Sequence, residues 1–264
     1  QGISPVDALF TATSAVCVTG LIVKDTPVAF TTIGQVIILV LIQIGGLGYM
    51  TSATIISLLI GKRISVGERL VMRESMNLIS LGGIVKFTKA VLLVTFSFEL
   101  VGAVILTLRF IGEMRLEQAM FLGIFHSISA FNNAGFSLFS DSLIRYRGDI
   151  IVNFTVTTLI IMGGIGFLVL SDLYNYQRKL TKDLALHTKV VLITSLLLIV
   201  TGAYLILVLE NSNPLTLDSF TTKEKLLSAY FSSVTARTAG FNTLDYQILR
   251  PETLYLTIML MFIG

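Results

Sequence analysis

Phe125-His-Ser-Ile-Ser-Ala-Phe-Asn-Asn-Ala-Gly135-Phe136 is the stretch on which the fold turns, because the chain carries three versions of it. The first is Phe10-Thr-Ala-Thr-Ser-Ala-Val-Cys-Val-Thr-Gly20-Leu21, and the last is Phe231-Ser-Ser-Val-Thr-Ala-Arg-Thr-Ala-Gly240-Phe241. Their glycines lie 115 and 105 residues apart, and the register holds through Ser14-Ala15, Ser129-Ala130 and Thr235-Ala236, with one residue fewer in the last copy. An aspartate follows each within five or six residues: Asp25, Asp141 and Asp245. Self-similarity at this range indicates a repeat architecture. Glycine and backbone carbonyls repeated around an axis are the means by which proteins build ion filters.

Composition sets the environment of the repeats. Of 264 residues, 54% are hydrophobic and only 13% charged, about half the charge of an ordinary soluble domain. Mean hydropathy is +0.85. Residues 26–61 contain no Asp, Glu, Lys or Arg, a run well beyond the roughly 20 residues that cross a bilayer. The chain is therefore expected to be an integral membrane protein. A net charge of +3 does not indicate nucleic acid, since the basic residues flank apolar spans as topology determinants do. One cysteine, Cys17, excludes an internal disulfide and a thiolate metal cluster. No phosphate-loop, His-Glu-x-x-His or Gly-x-Ser-x-Gly pattern occurs, so no enzyme is expected.

Hydrophobic length divides the chain into repeats. Short half-helices are expected over 4–16, 117–131 and 222–236, and spans over 31–60, 90–108, 150–171, 190–209 and from 252 onward. Residues 1–61 read as half-helix, filter strand and second span of a first repeat, and 62–89 as a cytoplasmic loop. A second repeat occupies 90–175, a second cytoplasmic loop 176–189, and a third repeat 190–264, truncated in its second span. The segments 61–89 and 172–189 hold ten Lys or Arg against four acids. The remaining loops hold nine against eleven, with Glu99 set aside inside a span. The positive-inside rule then places all three glycine motifs near the external face of the cell membrane. Both ends read as cut, so the chain is expected to be a fragment.

An ion leaving water must exchange its hydration oxygens for others, and backbone carbonyls supply them without burying a fixed charge. The candidate filter strands are Val18-Thr19-Gly20, Asn133-Ala134-Gly135 and Thr238-Ala239-Gly240, expected to be extended with carbonyls facing the axis. Cys17, Asn132 and Arg237 would then stand behind them as supports, Arg237 as a clamp. The half-helices present their negative C-terminal dipoles to this place, which suits a cation. Asp25, Asp141 and Asp245 are candidates for an outer vestibule or for ordinary solvated acids. Gly45 and Gly46, Gly163 and Gly164, and Gly264 recur below the filters, as gates or as packing notches. Glu99 in mid-span is open between a partner for an arginine, a hydrogen-bonded protonated acid and a functional charge. His126 and His187 are not expected to bind metal.

The motifs Thr13-Ser-Ala-Val-Cys-Val-Thr-Gly20-Leu21, Phe131-Asn-Asn-Ala-Gly135-Phe136 and Thr235-Ala-Arg-Thr-Ala-Gly240-Phe241 resemble the filter loops of the Trk/Ktr/HKT potassium transporter superfamily, most nearly the membrane subunits of bacterial Ktr systems. The resemblance covers essentially the whole chain. It implies an all-α membrane protein of pseudo-fourfold M1–P–M2, potassium-channel-like repeats around a central pore, incomplete here. Gly20, Gly135 and Gly240 would be three of four K+-binding filter glycines, and a gating loop would start near Gly264. It also implies K+ as the transported ion, Na+ as an accessory ion, no organic cofactor, and a homodimer in the lipid bilayer. A cytosolic, KtrA-like ring of nucleotide-binding subunits would dock on the basic loops. The rivals are a non-conducting membrane scaffold, whose glycines only pack helices, and a coupled carrier for an organic solute.

Overall fold

The structure is a computed structural model, and it describes residues 2–48, 84–179 and 182–263. Most of the loop expected at 62–89, the end of the span expected at 31–60, and Gly264 lie outside the described residues. Among the described residues every regular element is helical. That agrees with the expected all-α class, and the segments taken for filter strands contain no strand.

Local sequence sets the helix starts. α1 (Pro5–Val16) opens with a capping box: Ser4 Oγ accepts from the Asp7 N–H and the Asp7 carboxylate accepts from the Ser4 N–H. Pro5 stands at the first helical position, where its missing N–H costs nothing. A short turn, α2 (Thr26–Ala29), leads to α3 (Thr32–Gly46), capped by Thr31. α4 (Ile84–Phe110) and α5 (Leu116–Phe131) follow, then α6 (Ile150–Gly164), capped by Asp149. α7 (Phe167–Gln177) precedes α8 (Leu186–Glu210). α9 (Thr222–Thr235) opens with a second capping box, Thr221 with Glu224, and α10 (Pro251–Ile263) ends the described chain.

Among the described residues, two helices have the length and apolarity to cross a membrane, Thr88–Phe110 and Leu186–Glu210, of 23 and 25 residues. At about 1.5 Å per residue each exceeds the roughly 30 Å of a bilayer core. α6 and α7 pass the same test as a pair, bent by 98°. The bend falls after the glycine cluster, at Ile165–Gly166, where Gly166 has φ +93°. Leu196, Leu197, Val200, Tyr204 and Val208 of α8 are exposed, a face that only an apolar surrounding suits.

Packing repeats with the sequence. α5 lies on α4 and α9 on α8, and successive units join by α3 on α5 and α6 on α9. The two half-helix joints use one device. Ser127 Oγ donates to the Glu99 carbonyl (2.6 Å), and Ser233 Oγ to the Ile199 carbonyl (2.8 Å). A Cβ on Gly102 or Gly202 would fall 2.5 or 2.4 Å from those hydroxyls, so glycine is what lets each pair close. Phe125, Phe136, Phe231 and Phe241 are fully buried between the units.

Candidate functional site

At the C-terminal end of each half-helix the chain makes the same turn. The N–H of the residue before the glycine donates to the carbonyl of the repeated Ser or Thr: Thr19 to Ser14 (3.0 Å), Ala134 to Ser129 (2.8 Å) and Ala239 to Thr235 (3.0 Å). The hydroxyls of Ser129 and Thr235 donate across the turn to the Phe136 and Phe241 carbonyls, at 2.8 and 2.7 Å. Ser14 instead shares a 2.8 Å hydrogen bond with Thr19 Oγ1.

The backbone hand also repeats. Val18, Asn133 and Thr238 have φ of +55°, +54° and +62°, and Gly20, Gly135 and Gly240 have φ of +72°, +70° and +77°. The residue between each pair is not left-handed. This corrects the expectation of extended strands. The left-handed region costs a non-glycine residue about 1–3 kcal/mol unless its surroundings impose it, and here three residues pay it at equivalent positions. Alternating hand gathers successive N–H groups on one side of the chain, and therefore the carbonyls on the other.

The turns meet edge to edge. A Cβ on Gly20 would fall 2.7 Å from the Ala134 carbonyl oxygen and 3.4 Å from Gly135 Cα. One on Gly135 would fall 2.8 Å from the Ala239 carbonyl oxygen and 2.9 Å from Gly240 Cα. The second turn thus lies between the first and the third. Val18 and Thr19 of the first face Thr238 and Gly240 of the third across a cavity of about 380 Å³, also lined by Tyr246 and Thr257.

The residues expected behind the turns behave differently in each repeat. The Asn132 amide donates to the Ile128 carbonyl (2.8 Å), to Glu99 Oε1 (3.0 Å) and to Gln43 Oε1 (3.4 Å). Asn133 sets its amide against the Ala130 and Ile160 carbonyls, with nitrogen donating to both. Cys17 is exposed, which corrects its reading as a residue packed behind the turn: α5 and α9 have α4 and α8 behind them, and no described helix takes that place behind α1. Arg237 Nη1 is buried without a hydrogen-bond partner, so the expected clamp has no acceptor among the described residues. Glu99 makes no ion pair among them either; its partner is Asn132.

The glycines below the turns are sites of close approach. A Cβ on Gly45 would lie 2.0 Å from the Val16 carbonyl oxygen, and one on Gly163 would lie 1.7 Å from that of Phe131. Val16 and Phe131 are the last residues of their half-helices. Gly46 is packed against Asn132, and Gly164 stands next to the Asn133 amide.

The three aspartates do not form one free acidic ring. Asp141 pairs with Arg145 at 2.8 Å, Asp245 accepts from the Gln247 N–H, and Asp25 caps α2 without a side-chain bond. Around them, Arg109 bridges Glu113 and Asp149, and Arg147 reaches Glu224 at 3.3 Å. The Leu143 N–H donates to the Asn242 carbonyl and the Asn242 N–H to Ser142 Oγ, which ties two post-glycine loops together. Sequence reasoning missed two buried anchors. His126 accepts from the Leu138 N–H at Nε2 and donates from Nδ1 to the Leu122 carbonyl, fixing the loop beyond Gly135. The Glu210 carboxylate takes four donors, from Asn213, Thr216, Arg250 and Thr253. Neither residue has a copy in the other repeats that periodicity could have flagged. Among the described residues no group of three His, Cys, Asp or Glu is placed to hold a metal ion.

Three short helices, each ending in the same left-handed turn beside helices long and apolar enough to cross a membrane, are the framework of a helical membrane protein. The chain belongs to the TrkH family of cation transport proteins, whose model matches residues 2–264. It is 46% identical over 262 residues to Ktr system potassium uptake protein B of Bacillus subtilis, covering 99% of this chain and 58% of that protein. The protein of the same name from Vibrio alginolyticus is 42% identical over all of this chain and 58% of its own length. Potassium/sodium uptake protein NtpJ of Enterococcus hirae is 41% identical over 98% of this chain and 57% of its own. The chain thus spans less than two thirds of these relatives. The potassium transporter TrkH from Vibrio parahaemolyticus shares the fold, with a TM-score of 0.66 at 20% identity over 98% of this chain and 49% of that one.

Proposed function

We propose that this chain is part of the membrane subunit of a potassium uptake system, conducting K+ inward through a channel-like pore. Backbone carbonyls around Gly20, Gly135 and Gly240 form three sides of its filter, and a fourth repeat, outside these residues, closes a pseudo-fourfold ring. One observation carries this reading: three turns of identical, costly backbone hand, 115 and 105 residues apart, meet at their glycines. Helices packed only for assembly have no need of left-handed Val18, Asn133 and Thr238, which weighs against the scaffold. The half-helices bring C-terminal dipoles to this place, which suits a cation and not an anionic solute.

The names of the relatives support potassium, and NtpJ supports Na+ as a second ion. As in the sequence reading, the protein is a homodimer of the cell membrane, and a cytosolic nucleotide-binding ring docks on its basic segments 62–89 and 176–189. Asp25, Asp141 and Asp245 line the outer mouth, Asp141 as part of an ion pair. The close contacts of Gly45, Gly46, Gly163 and Gly164 support a packing role for them, which leaves the bend after Gly164, and the region of Gly264, as the movable parts.

The test is uptake by potassium-uptake-deficient cells carrying the full-length parent. Gly135→Ser is expected to insert normally and to lower the K+ over Na+ preference by about tenfold, the scale of losing roughly 1.4 kcal/mol at one ion site. An inserted Gly135→Ser protein with the parent's preference would move Gly135 away from the ion and return the glycines to packing.

A further inference from the structure

Glu99 is 4% exposed in the middle of an apolar span, a position where a carboxylate persists only for a reason. Its contacts lie on the half-helix and turn that end at Gly135. Oε1 accepts from Asn132 Nδ2 at 3.0 Å, and its backbone carbonyl accepts from Ser127 Oγ at 2.6 Å. Both residues belong to the half-helix and turn that end at Gly135. The same Asn132 nitrogen reaches Gln43 Oε1 at 3.4 Å, and Gln43 stands on α3, in the preceding unit. One amide is therefore held from two sides, by the span behind it and by the neighbouring repeat.

The other repeats show that this bracket is not required by the fold. Ser127 and Ser233 are equivalent, and so are the residues that they bind, Glu99 and Ile199. Gly45 and Gly163 are equivalent by their contacts with the last half-helix carbonyls, which pairs Gln43 with Ile161. Around the third turn, isoleucine thus stands at both acceptor positions, Ile199 in its own repeat and Ile161 in the preceding one, and Arg237 replaces Asn132. A repeat of the same shape forms there without any of the three polar groups. The Gln43 side chain also hydrogen-bonds the Glu99 carboxyl, so the two acceptors of the bracket are joined to each other as well as to Asn132.

We infer that Glu99 is a positioning residue for ion selectivity: through Asn132, and together with Gln43, it fixes where the Asn133–Gly135 carbonyls stand. The inference rests on the filter reading proposed above. Three variants of the full-length protein test it, with the K+ over Na+ uptake preference as readout beside the amount in the membrane. Glu99→Gln keeps an oxygen for Asn132 and is expected to retain the parent's preference. Glu99→Leu removes it, and preference is expected to fall about tenfold, the scale of one lost hydrogen bond. Gln43→Met leaves Glu99 in place and is expected to lower preference by a smaller factor, which keeps the test decisive if Glu99→Leu does not accumulate.

The inference is overturned if Glu99→Leu or Gln43→Met reaches the membrane and keeps the parent's ratio, whatever happens to total uptake. It is also overturned if Glu99→Gln loses preference as fully as Glu99→Leu, since charge and not position would then matter. Gly135→Ser, measured in parallel, separates the two levels. If it changes the ratio while the bracket variants do not, only this inference falls. If it too leaves the ratio unchanged, the filter reading falls first.

Discussion

At the scale of single residues, the turns are shaped by Gly20, Gly135 and Gly240 and by the left-handed Val18, Asn133 and Thr238 two positions before them. Gly20, Gly135 and Gly240 stood out because they recur in register. Val18, Asn133 and Thr238 were expected to be extended because a carbonyl-lined filter needs its carbonyls on one side; only Val18 and Thr238 are β-branched residues that favour extended backbone, and the left-handed φ of all three accompanies the turn that the repeated Ser and Thr close. For Gly45 and Gly163 the sequence left notch and gate open, and distance separates them. Their missing side chains make room for the Val16 and Phe131 carbonyls. Gly163→Ala is therefore expected to lower the stability of the full-length protein by about 3 kcal/mol or more, the upper range for an overpacked contact that meets backbone. Gly112→Ala, whose Cβ would find only the Arg109 carbonyl at 3.7 Å, is expected to melt like the parent. Thermal unfolding in detergent compares them. A Gly163→Ala protein that melts normally but transports at a changed rate would make this glycine a hinge.

At the scale of elements, helix starts and half-helix limits were legible, because capping residues and the ends of apolar runs are local signals. The expected half-helices 4–16, 117–131 and 222–236 correspond to Pro5–Val16, Leu116–Phe131 and Thr222–Thr235. The 98° bend was legible only as a glycine cluster, since its angle depends on what α7 packs against. Glu224 shows how a local cap acquires a second task. The Thr221 N–H, first, and then the Thr221 hydroxyl and Arg147 hold its carboxyl below the usual carboxylate range. A depressed value stabilises the folded state above the unfolded carboxylate range, near about 4.3, and that contribution disappears as pH falls through the lower folded value. The full-length protein is thus expected to lose melting temperature between about pH 5 and 3, and Glu224→Gln to lose less over that interval. An identical acid limb in Glu224→Gln would assign the loss to other carboxylates. The half-exposed pair with Arg147 adds little alone; its interest is that it joins the loop of one repeat to the half-helix of the next.

At the scale of the whole molecule, what was least legible is the order of the units in space. Nothing in composition or period says that the second turn lies between the other two, or that the first and third face a cavity of about 380 Å³. Three units in this arrangement make an arc whose open side exposes Val18, Thr19, Thr238 and Gly240. The chain spans only 57–58% of the relatives it matches. The proposed orientation rests on charge counts alone. Arg109, Arg145 and Arg147 are paired with acids among the described residues, whereas Arg178, Lys179 and Lys182 lie between α7 and α8 and Lys189 in the first turn of α8, the pattern expected of a cytoplasmic loop. With Cys17, the single cysteine, replaced by serine in the full-length parent, Asp218→Cys should react with a membrane-impermeant maleimide on intact cells. Lys182→Cys should react only after the cells are opened. The opposite pattern would put the glycine turns near the cytoplasm, with their half-helix dipoles and paired acids on the side that K+ leaves by, and inward conduction through an outer filter would have to be abandoned.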